Sequence, residues 1–437
     1  MREDIKRRIE QIRRGEVPEG YKKSLDVPIP EDWKVKRLGE ILKIKYGKDQ
    51  KDVEKKDGMY PILATGGVIG RTDRYLYDKP SVLIGRKGTI DRPMYIETPF
   101  WTVDTLFYSI VRDNNSVRFV HYLISSINWK KYSEATTLPS LSSSVIEGIK
   151  AAIPESDEQT KIAEILSTCD RVIELKKKLI EEKKKVKKWF MQTLLTGMIR
   201  VKDIENRTPY EELKKRFIRI NSGEIPEGYK RSKRQDIFPE DWQEVKLRNI
   251  ASIHRGASPR PIGEPRWFDD NSEVGWVRIS DVTASSKTLL QTAQRLSEQG
   301  IKKSRSVLPG KIIMSICATV GKPIITGFEV CIHDGFVVFE NLAAIKDFFY
   351  YLLEKSESIW SKYGQTGSQT NLNTTIVGNE RMTLPQSQSE QIQIAEILST
   401  ADKEINLLNK DLEQWEIKKK SLMQLLLTGI VRVSTEN

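Results

Sequence analysis

The sequence predicts an α+β protein in which two α+β domains are separated by two long antiparallel helices that form a coiled-coil spacer, with pseudo-two-fold character. Three observations predict this class. Blocks of text occur twice in the same order, each copy ends in a long stretch without glycine or proline, and short β-rich runs fill the segments between. An internal duplication with one helix per copy accounts for all three.

The internal repeat is almost literal. The matching blocks, first copy then second, are GEVPEGYK at 15–22 and GEIPEGYK at 223–230, PEDW at 30–33 and 239–242, EQ…IAEILST at 158–168 and 390–400, and LLTG at 194–197 and 426–429. The segments between the blocks, 34–150 and 243–380, share little text. A repeated scaffold with unlike inserts predicts one architecture that presents two different surfaces.

The two longest helices are predicted at 157–196 and 387–428, where the sequence has neither glycine nor proline. Gly197 and Gly429 follow, at the position where a helix end favours a left-handed residue. About 40 residues at 1.5 Å each make rods of roughly 60 Å. Apolar residues at heptad spacing predict that the helices pack on each other. The predicted rows are Ile165, Val172, Leu179 and Val186 with Leu175 and Trp189 in the first helix, and Leu398, Ile405 and Leu412 with Ala401, Leu408, Trp415 and Leu422 in the second.

The rest of the chain divides around these helices. The predicted segments are 1–25 (N-terminal helix and turn), 26–155 (first domain), 156–198 (first spacer helix), 199–230 (linker and repeated N-terminal helix), 231–386 (second domain), 387–430 (second spacer helix) and 431–437 (tail). Within the domains, strands are predicted at 80–85, 107–111, 311–316 and 336–339, and short helices near 118–128 and 345–363.

The charge balance favours a polyanionic partner. Lys and Arg number 72 against 60 Asp and Glu, a net charge of +12. Nucleic acid is favoured over a membrane surface, because no lipidation signal, amphipathic anchor or apolar run of about 20 residues is visible. Lysine runs at 176–178 and 183–188 are interpreted as a solvated helix face, with DNA contact as the alternative. Three cysteines without pair spacing indicate thiols in a reducing compartment, so a cytoplasmic location is expected.

Motifs for catalysis are absent from the sequence. It has no phosphate-binding Gly-x-x-x-x-Gly-Lys-Ser/Thr loop, no strand-linked Gly-x-Gly-x-x-Gly and no Asn/Asp-Pro-Pro-Tyr/Phe. His121, His254 and His333 lie outside metal-ligand spacing, so no metal site is expected. Cys331 shortly before His333 is compatible with a thiol nucleophile, but a buried cysteine beside a solvated histidine is the favoured interpretation.

Basic and amide-rich loops supply the candidate nucleic-acid-binding residues. Glycines in the 85–89 loop let the backbone approach a phosphate, and Arg86 and Lys87 can then meet phosphates or guanine. The polar loop 365–373 offers amides suited to adenine, and its end aligns with 140–142 of the first domain. Solvated basic or Asn/Ser-rich turns remain the alternatives. The candidates are Arg71, Arg74, Arg86, Lys87, Thr89, Arg92, Ser140 and Ser142 in the first domain, and Arg255, Arg260, Arg266, Arg278, Lys302, Lys303, Arg305, Lys322, Gln369, Asn371 and Asn373 in the second.

The order of these motifs resembles the specificity subunit of type I restriction–modification systems over essentially the whole chain. The resemblance lies in the EQ…IAEILST…LLTG text after each domain and in the duplication. It also lies in GWVRISDV at 275–282 and, in the first domain, in 58–62, 84–89 and 100–105.

The resemblance implies two target-recognition domains, each reading one half of a split double-stranded DNA site. The helices would set the unread gap and bind two methyltransferase subunits, and restriction–translocase subunits would complete the complex. It implies a non-catalytic chain without a cofactor, membrane contact or small-molecule substrate of its own, because S-adenosylmethionine, ATP and Mg²⁺ serve the partner subunits. The candidate partner-binding residues are Leu194, Leu195, Thr196, Gly197, Leu426, Leu427, Thr428 and Gly429.

Other functions remain open at this level. A fused recognition module of another nuclease or methyltransferase would need a catalytic motif. A coiled-coil adaptor for proteins would make the basic charge incidental, and an orphan recognition subunit would act as a homodimer or with another system's partners.

Overall fold

A computed structural model describes residues 3–24, 27–112, 114–133, 138–360 and 372–433. The chain divides into two compact units: unit 1 contains residues 1–178 and 409–437, and unit 2 contains residues 179–408. The division passes through both long helices, so each unit includes a part of each helix.

The elements follow the α+β class that the sequence predicts. The helices are α1 (Glu3–Arg13), α2 (Leu38–Ile41), α3 (Val117–Ser126), α4 (Ser143–Gly148), α5 (Ser156–Leu194), α6 (Val201–Glu205), α7 (Tyr210–Asn221), α8 (Ile279–Ala284), α9 (Glu298–Lys302), α10 (Lys346–Lys355), α11 (Glu357–Trp360), α12 (Thr374–Asn379) and α13 (Gln388–Leu427). The strands are β1 (Tyr21–Lys22), β2 (Ile29–Pro30), β3 (Lys34–Arg37), β4 (Leu42–Lys45), β5 (Tyr60–Ala64), β6 (Gly67–Thr72), β7 (Ser81–Gly85), β8 (Met94–Ile96), β9 (Trp101–Thr102), β10 (Leu106–Val111), β11 (Lys150–Ile153), β12 (Tyr229–Arg231), β13 (Ile237–Pro239), β14 (Trp242–Lys246), β15 (Ser252–Arg255), β16 (Gly275–Val277), β17 (Thr288–Leu289), β18 (Gln294–Arg295), β19 (Arg305–Val307), β20 (Ile312–Ser315), β21 (Pro323–Thr326), β22 (Val330–Ile332), β23 (Phe336–Glu340) and β24 (Arg381–Pro385).

In unit 1 the sheets run in the orders β4-β10-β7-β8 and β6-β5-β9. Strand β3 pairs antiparallel with β11, with Lys34 opposite Ile153, so the two ends of the domain meet where α5 begins. One apolar core joins this domain to the helices. It contains, among others, Trp33, Phe107, Phe119, Trp129, Ile162, Leu166, Leu426 and Leu427.

In unit 2 the larger sheets run β15-β23-β20-β21-β17 and β18-β16-β22-β19, and β14 pairs with β24 as β3 pairs with β11 in unit 1. The main core again combines domain and helix residues. It contains, among others, Leu194, Leu195, Trp242, Phe339, Phe348, Trp360, Ile394 and Leu398.

The repeated text forms the same joint in both units. In unit 1 the buried indole of Trp33 donates to Glu158 on α5 at 3.0 Å, and in unit 2 that of Trp242 donates to Glu390 on α13 at 3.3 Å. The Pro-Glu-Asp-Trp block therefore anchors each domain on its long helix.

The residues after each long helix close the same joint. Gly197 and Gly429 both have φ of +72°, as the sequence predicts. A Cβ at either position would collide with a proline ring, Pro239 or Pro30. A tyrosine of the repeated Gly-Tyr-Lys text then donates to each glycine carbonyl, Tyr229 at 2.7 Å and Tyr21 at 2.6 Å.

The long helices run antiparallel within each unit. In unit 1, Asp170 of α5 pairs with Lys419 of α13 at 2.5 Å, while Lys176, further along α5, pairs with Asp411, earlier in α13. In unit 2, Lys183 pairs with Glu404 at 2.6 Å and Lys187 with Asp402 at 2.7 Å.

The heptad rows predicted for α13 are confirmed, since Leu398 and Ile405 are buried and the other members are half-buried, namely Ala401, Leu408, Leu412, Trp415 and Leu422. The rows predicted for α5 are wrong, because Ile165, Leu175 and Leu179 are exposed. The inward stripe of α5 is instead Ile162, Leu166, Cys169, Ile173, Lys176, Ile180, Lys183, Lys187, Phe190 and Leu194.

The interpretation of the lysine runs as a solvated face is corrected at three positions. Lys176, Lys183 and Lys187 belong to the inward stripe, where long aliphatic stems pack while the ammonium groups reach acids of α13 or its neighbours. Lys184 and Lys185 are exposed and pair only with acids of their own helix turn in the described structure. Within the described residues, no helix combines the length and apolarity needed to cross a membrane.

Candidate nucleic-acid interface

Two loops of unit 1 lie side by side and bring five candidate residues together. The backbone N–H of Gly88 donates to Pro139 O at 2.9 Å, and that of Leu141 donates to Arg86 O at 2.9 Å. Lys87 and Ser140 form an isolated bridge between the loops. This loop pair, residues 85–90 and 139–142, presents the candidates Arg86, Lys87, Thr89, Ser140 and Ser142.

Local sequence explains how the loop pair forms. Gly85 ends β7 where a side chain would collide with Thr89 O, and Gly88 has φ of +84°. Leu141 is buried and fixes the second loop, and Ser142 caps α4 by accepting a bond from Val145 N at 3.4 Å. The polar side chains are thus carried on a tightly constrained backbone.

The guanidinium of Arg86 is only partly occupied by protein contacts. Its guanidinium lies over the Tyr46 ring, 5.3 Å from the centroid, and donates to Asp104 O at 3.1 Å. The Asp104 carboxylate is 4.0 Å away, and the Arg86 side chain remains 31% exposed. Its other N–H groups can still donate to a ligand that approaches from the solvent.

The other cationic candidates of unit 1 lie elsewhere. Arg71 donates to Gly58 O at 2.7 Å and to Met59 O at 2.9 Å, so it braces the turn before β5. Arg74 and Arg92 are exposed, and neither has a contact that ties it to the loop pair in the described structure.

In unit 2 two candidate arginines bind Asp334, and a third binds the backbone of one of them. Arg255 Nε donates to Asp334 O at 2.6 Å, Arg260 donates to the Asp334 carboxylate at 3.0 Å, and Arg305 Nε donates to Arg255 O at 2.7 Å. Partial burial of Asp334 opposes ionisation, but the Ser258 hydroxyl and Arg260 outweigh it and lower the pKa of Asp334. The carboxylate is therefore ionised and binds Arg260, while the backbone carbonyl of Asp334 binds Arg255.

Several other candidates of unit 2 have structural partners. Arg278 donates to Gln294 at 2.9 Å, Lys322 donates to Thr283 O at 3.4 Å, and Arg266 lies over the Trp267 ring at 4.3 Å. Lys302 and Lys303 are exposed at the end of α9.

The amide-rich loop is only partly described. Gln369 and Asn371 lie outside the described residues. Asn373 caps α12, because its Oδ1 accepts a bond from Ile376 N at 2.8 Å. A bidentate contact to adenine needs the amide oxygen as well as the nitrogen, so this cap argues against Asn373 as an adenine reader.

The candidate partner-binding residues divide by burial. Leu194, Leu195, Leu426 and Leu427 lie in the unit cores, and the two glycines are buried at the helix ends. The interpretation of these six as surface contacts is therefore corrected: they hold the joint between helix and domain. Thr196 and Thr428 are half-buried, and each bonds to a carbonyl of its own helix.

Sequence reasoning missed two features of these surfaces. The sequence does not indicate Tyr46, Asp104 or Asp334 as site residues, although one of the two aspartates stands shortly before a predicted strand in each copy. The sequence predicts the outward stripe of α5 as the packed seam, whereas the structure exposes its side chains Ile165, Leu175, Leu179, Val186 and Trp189.

The histidines and cysteines do not form a reactive set. Among the described residues, no group of three or more His, Cys, Asp and Glu side chains is placed to hold a metal ion. Burial raises the pKa of the Cys331 thiol to about 12, so it is protonated at neutral pH. His333 Nδ1 accepts a bond from Gly335 N at 2.9 Å. The prediction of a buried, unreactive Cys331 fits this geometry. The prediction of a solvated histidine beside it is wrong, because His333 is half-buried against the rings of Trp276 and Phe336.

Comparison with known proteins gives a consistent result. A family described as the type I restriction modification DNA specificity domain matches residues 30–185 and 239–417. The MjaVIII type I restriction enzyme specificity subunit of Methanocaldococcus jannaschii is 27% identical over 96% of this chain and 97% of its own length. The EcoDI specificity subunit of Escherichia coli is 29% identical over 38% of each chain.

Solved structures share the fold. A type I restriction–modification S subunit from M. genitalium aligns with a TM-score of 0.58 and 15% identity, covering 93% of this chain and 97% of that one. A chain from a structure of type I system complex assembly and conformational transition aligns with a TM-score of 0.52 and 12% identity, covering 92% and 99%.

Proposed function

The chain belongs to the type I restriction–modification DNA specificity family, and from that premise we propose that each unit reads one half of a bipartite DNA site. The observation that carries the proposal is the repeated scaffold with unlike surfaces. The joints around Trp33 and Trp242 match bond for bond, whereas the basic groups differ: Arg86 and Lys87 in unit 1, two arginines at Asp334 and a third beside them in unit 2. One architecture with different cations suits two half-sites of different sequence.

The cationic residues divide into two roles in this proposal. Exposed side chains on mobile stems, such as Lys87, Lys302 and Lys303, contact phosphates and supply affinity that does not depend on sequence. Arginines with fixed orientation contact base edges. The long helices, of 39 and 40 residues, set the length of DNA left unread between the half-sites.

Two methyltransferase subunits are the proposed protein partners, and restriction–translocase subunits complete the complex. The exposed apolar stripe of α5 supports a docking role, because Leu175 is 56% and Trp189 47% exposed on a helix whose inward face is already packed. In this proposal the chain is a non-catalytic, cytoplasmic subunit with no small-molecule substrate or membrane contact. S-adenosylmethionine, ATP and Mg²⁺ bind to the partner subunits in this proposal.

Methylome sequencing tests the reading role. Cells that express this chain with a type I methyltransferase subunit that binds it are expected to carry methylation at a single split motif with two unlike halves. Cells that express the methyltransferase alone are the control. Methylation at a continuous motif, or the same pattern without this chain, would contradict the proposal.

Substitution of the α5 stripe tests the docking role. Leu179→Lys with Val186→Lys is expected to reduce co-purification of the methyltransferase at least tenfold, because charge replaces apolar contact area. Lys184→Glu with Lys185→Glu, on the exposed lysine face of the same helix, is the matched control. Retained co-purification in the first variant, with its thermal midpoint unchanged, would exclude this stripe as the docking face.

A further inference from the structure

One position is structurally equivalent in the two units, and it follows β7 in unit 1 and β20 in unit 2. In unit 1, Arg86 O accepts a bond from Leu141 N at 2.9 Å, and Arg86 N donates to Thr105 O at 2.9 Å. In unit 2, Ile316 O accepts from Leu372 N at 3.0 Å, and Ile316 N donates to Gly335 O at 2.8 Å. In each unit the second of these bonds connects the residue after one strand (β7 or β20) to the residue before the next paired strand (β10 or β23). Ile316 of unit 2 is therefore equivalent to Arg86 of unit 1.

A second equivalence lies beside the first. A side chain at Gly47 would collide with Val103 O, and a side chain at Gly256 would collide with His333 O. The next residue continues the match, since Lys48 N donates to Thr102 O at 2.8 Å and Ala257 N to Ile332 O at 3.0 Å. The residues before the two glycines, Tyr46 and Arg255, therefore hold equivalent places.

Combining the two equivalences shows an exchange of residue types. Unit 1 has tyrosine at the strand end and arginine in the loop (Tyr46, Arg86), whereas unit 2 has arginine at the strand end and isoleucine in the loop (Arg255, Ile316). Both arginines donate to the carbonyl of the aspartate before the next strand, Arg86 to Asp104 O at 3.1 Å and Arg255 to Asp334 O at 2.6 Å. Each unit thus fixes one guanidinium at the same carbonyl, from a different point of the chain.

We propose that this carbonyl-anchored arginine, Arg86 in unit 1 and Arg255 in unit 2, is a specificity-determining residue that recognises a guanine in each half-site. The inference rests on the proposed DNA-reading function. A guanidinium that donates one N–H to a backbone carbonyl has a restricted orientation. Its remaining N–H groups match the paired acceptors O6 and N7 of guanine.

The neighbouring groups favour this pair over the other candidates as base readers. Ser142 and Asn373 hold equivalent places too, but their side-chain oxygens cap α4 and α12. Tyr46 acts as a positioning residue for Arg86, because its ring lies under the guanidinium and its hydroxyl is 3.3 Å from Ser143 Oγ. Arg260 fills the carboxylate side of Asp334 and leaves the carbonyl to Arg255.

The test selects preferred sequences from a random double-stranded DNA library with the full-length chain and its methyltransferase. Arg86→Ala is expected to lower discrimination at one base pair of one half-site by roughly 10- to 100-fold, with the other half-site and the salt dependence unchanged. Arg255→Ala is expected to do the same in the opposite half-site. Tyr46→Ala should weaken discrimination at the position that Arg86 reads, and Tyr46→Phe should retain it.

Matched controls separate base reading from phosphate contact. Lys87→Ala and Lys302→Ala are expected to weaken binding to all sequences alike and to reduce the slope of log affinity against log salt by about one. The inference is overturned if Arg86→Ala or Arg255→Ala, with an unchanged thermal midpoint, behaves like these lysine variants or leaves the selected motif intact. If the unsubstituted complex selects no sequence at all, the proposed function itself fails, which is a different result.

Discussion

At the scale of single residues, Arg200 and Arg432 perform the same task in the two units. Arg200 binds Asp241 through two bonds of 2.8 Å and Glu390 through bonds of 2.6 and 2.8 Å, and it is nearly buried. Arg432 makes the same set of bonds to Asp32 and Glu158. Each arginine neutralises the glutamate that also accepts the tryptophan indole, half-buried Glu390 or buried Glu158, and so joins the end of one long helix to the start of the other.

Arg200→Ala is expected to lower the free energy of unfolding of unit 2 by about 3 kcal/mol, because it leaves the Glu390 carboxylate without its cation in a poorly solvated place. Urea unfolding followed by tryptophan fluorescence measures this. Arg219→Ala, which breaks an exposed pair with Glu224, should change stability by no more than about 0.5 kcal/mol. Equal effects of the two substitutions would contradict the assignment of Arg200 to the joint.

Lys355 gives a prediction for the dependence of stability on pH. Burial lowers the pKa of this lysine to about 8, with Asp236 opposing the shift. An unfolded lysine keeps its proton to about pH 10.4, so between these values the unfolded chain binds more protons and stability rises with pH. Below pH 8 the cost of the buried charge is fully present.

Lys355→Met removes that cost. The variant is expected to gain stability relative to the unsubstituted chain at pH 7, and the difference should shrink by about 2 to 3 kcal/mol between pH 7 and pH 10. Chemical unfolding at a series of pH values measures it. A difference that stays constant over this range would show that Lys355 ionises normally in the folded chain.

At the scale of elements, α5 carries two apolar stripes at heptad spacing and packs the one that also carries lysines. Its inward stripe includes Lys183 and Lys187, which α13 and its surroundings match with acids. Its outward stripe includes Leu179, Val186 and Trp189, all exposed. Because both stripes are apolar at heptad spacing, the acids opposite the lysines help to fix which face of α5 turns inward.

Lys187→Met tests this element. Lys187 Nζ lies 2.7 Å from Asp402 and 3.1 Å from Glu354, and burial already raises the pKa of Glu354. Removing the ammonium leaves two partly buried carboxylates without their shared cation, so a loss of about 3 kcal/mol in unfolding free energy is expected at pH 7. Lys184→Met, on the exposed face, is the control and should be nearly neutral. A neutral Lys187 variant would mean that these acids are well solvated.

At the scale of the whole molecule, the net charge of +12 is the property that bears on DNA affinity. Contacts with about 6 to 10 phosphates would reduce affinity for random duplex by roughly 10³- to 10⁵-fold between 50 and 200 mM salt. Fluorescence anisotropy with a labelled random duplex measures the slope. A protein-docking adaptor with incidental charge would show weak binding and little salt dependence, which would contradict the DNA-reading proposal.

The sequence by itself determined the duplication, both long helices with their left-handed glycine ends, the seam of α13 and the α+β class, because each depends on local text or on regular spacing. The basic loops around Arg86 could also be found, since their glycines mark them. Only the tertiary structure decided which stripe of α5 packs, because both stripes are apolar at heptad spacing and the groups that cover one of them lie far away in the sequence. It also decided that Leu194 and Leu426 are core residues. The anchoring of Arg86 and Arg255 at equivalent carbonyls could not be read from the sequence, because contacts between residues far apart in the chain create it.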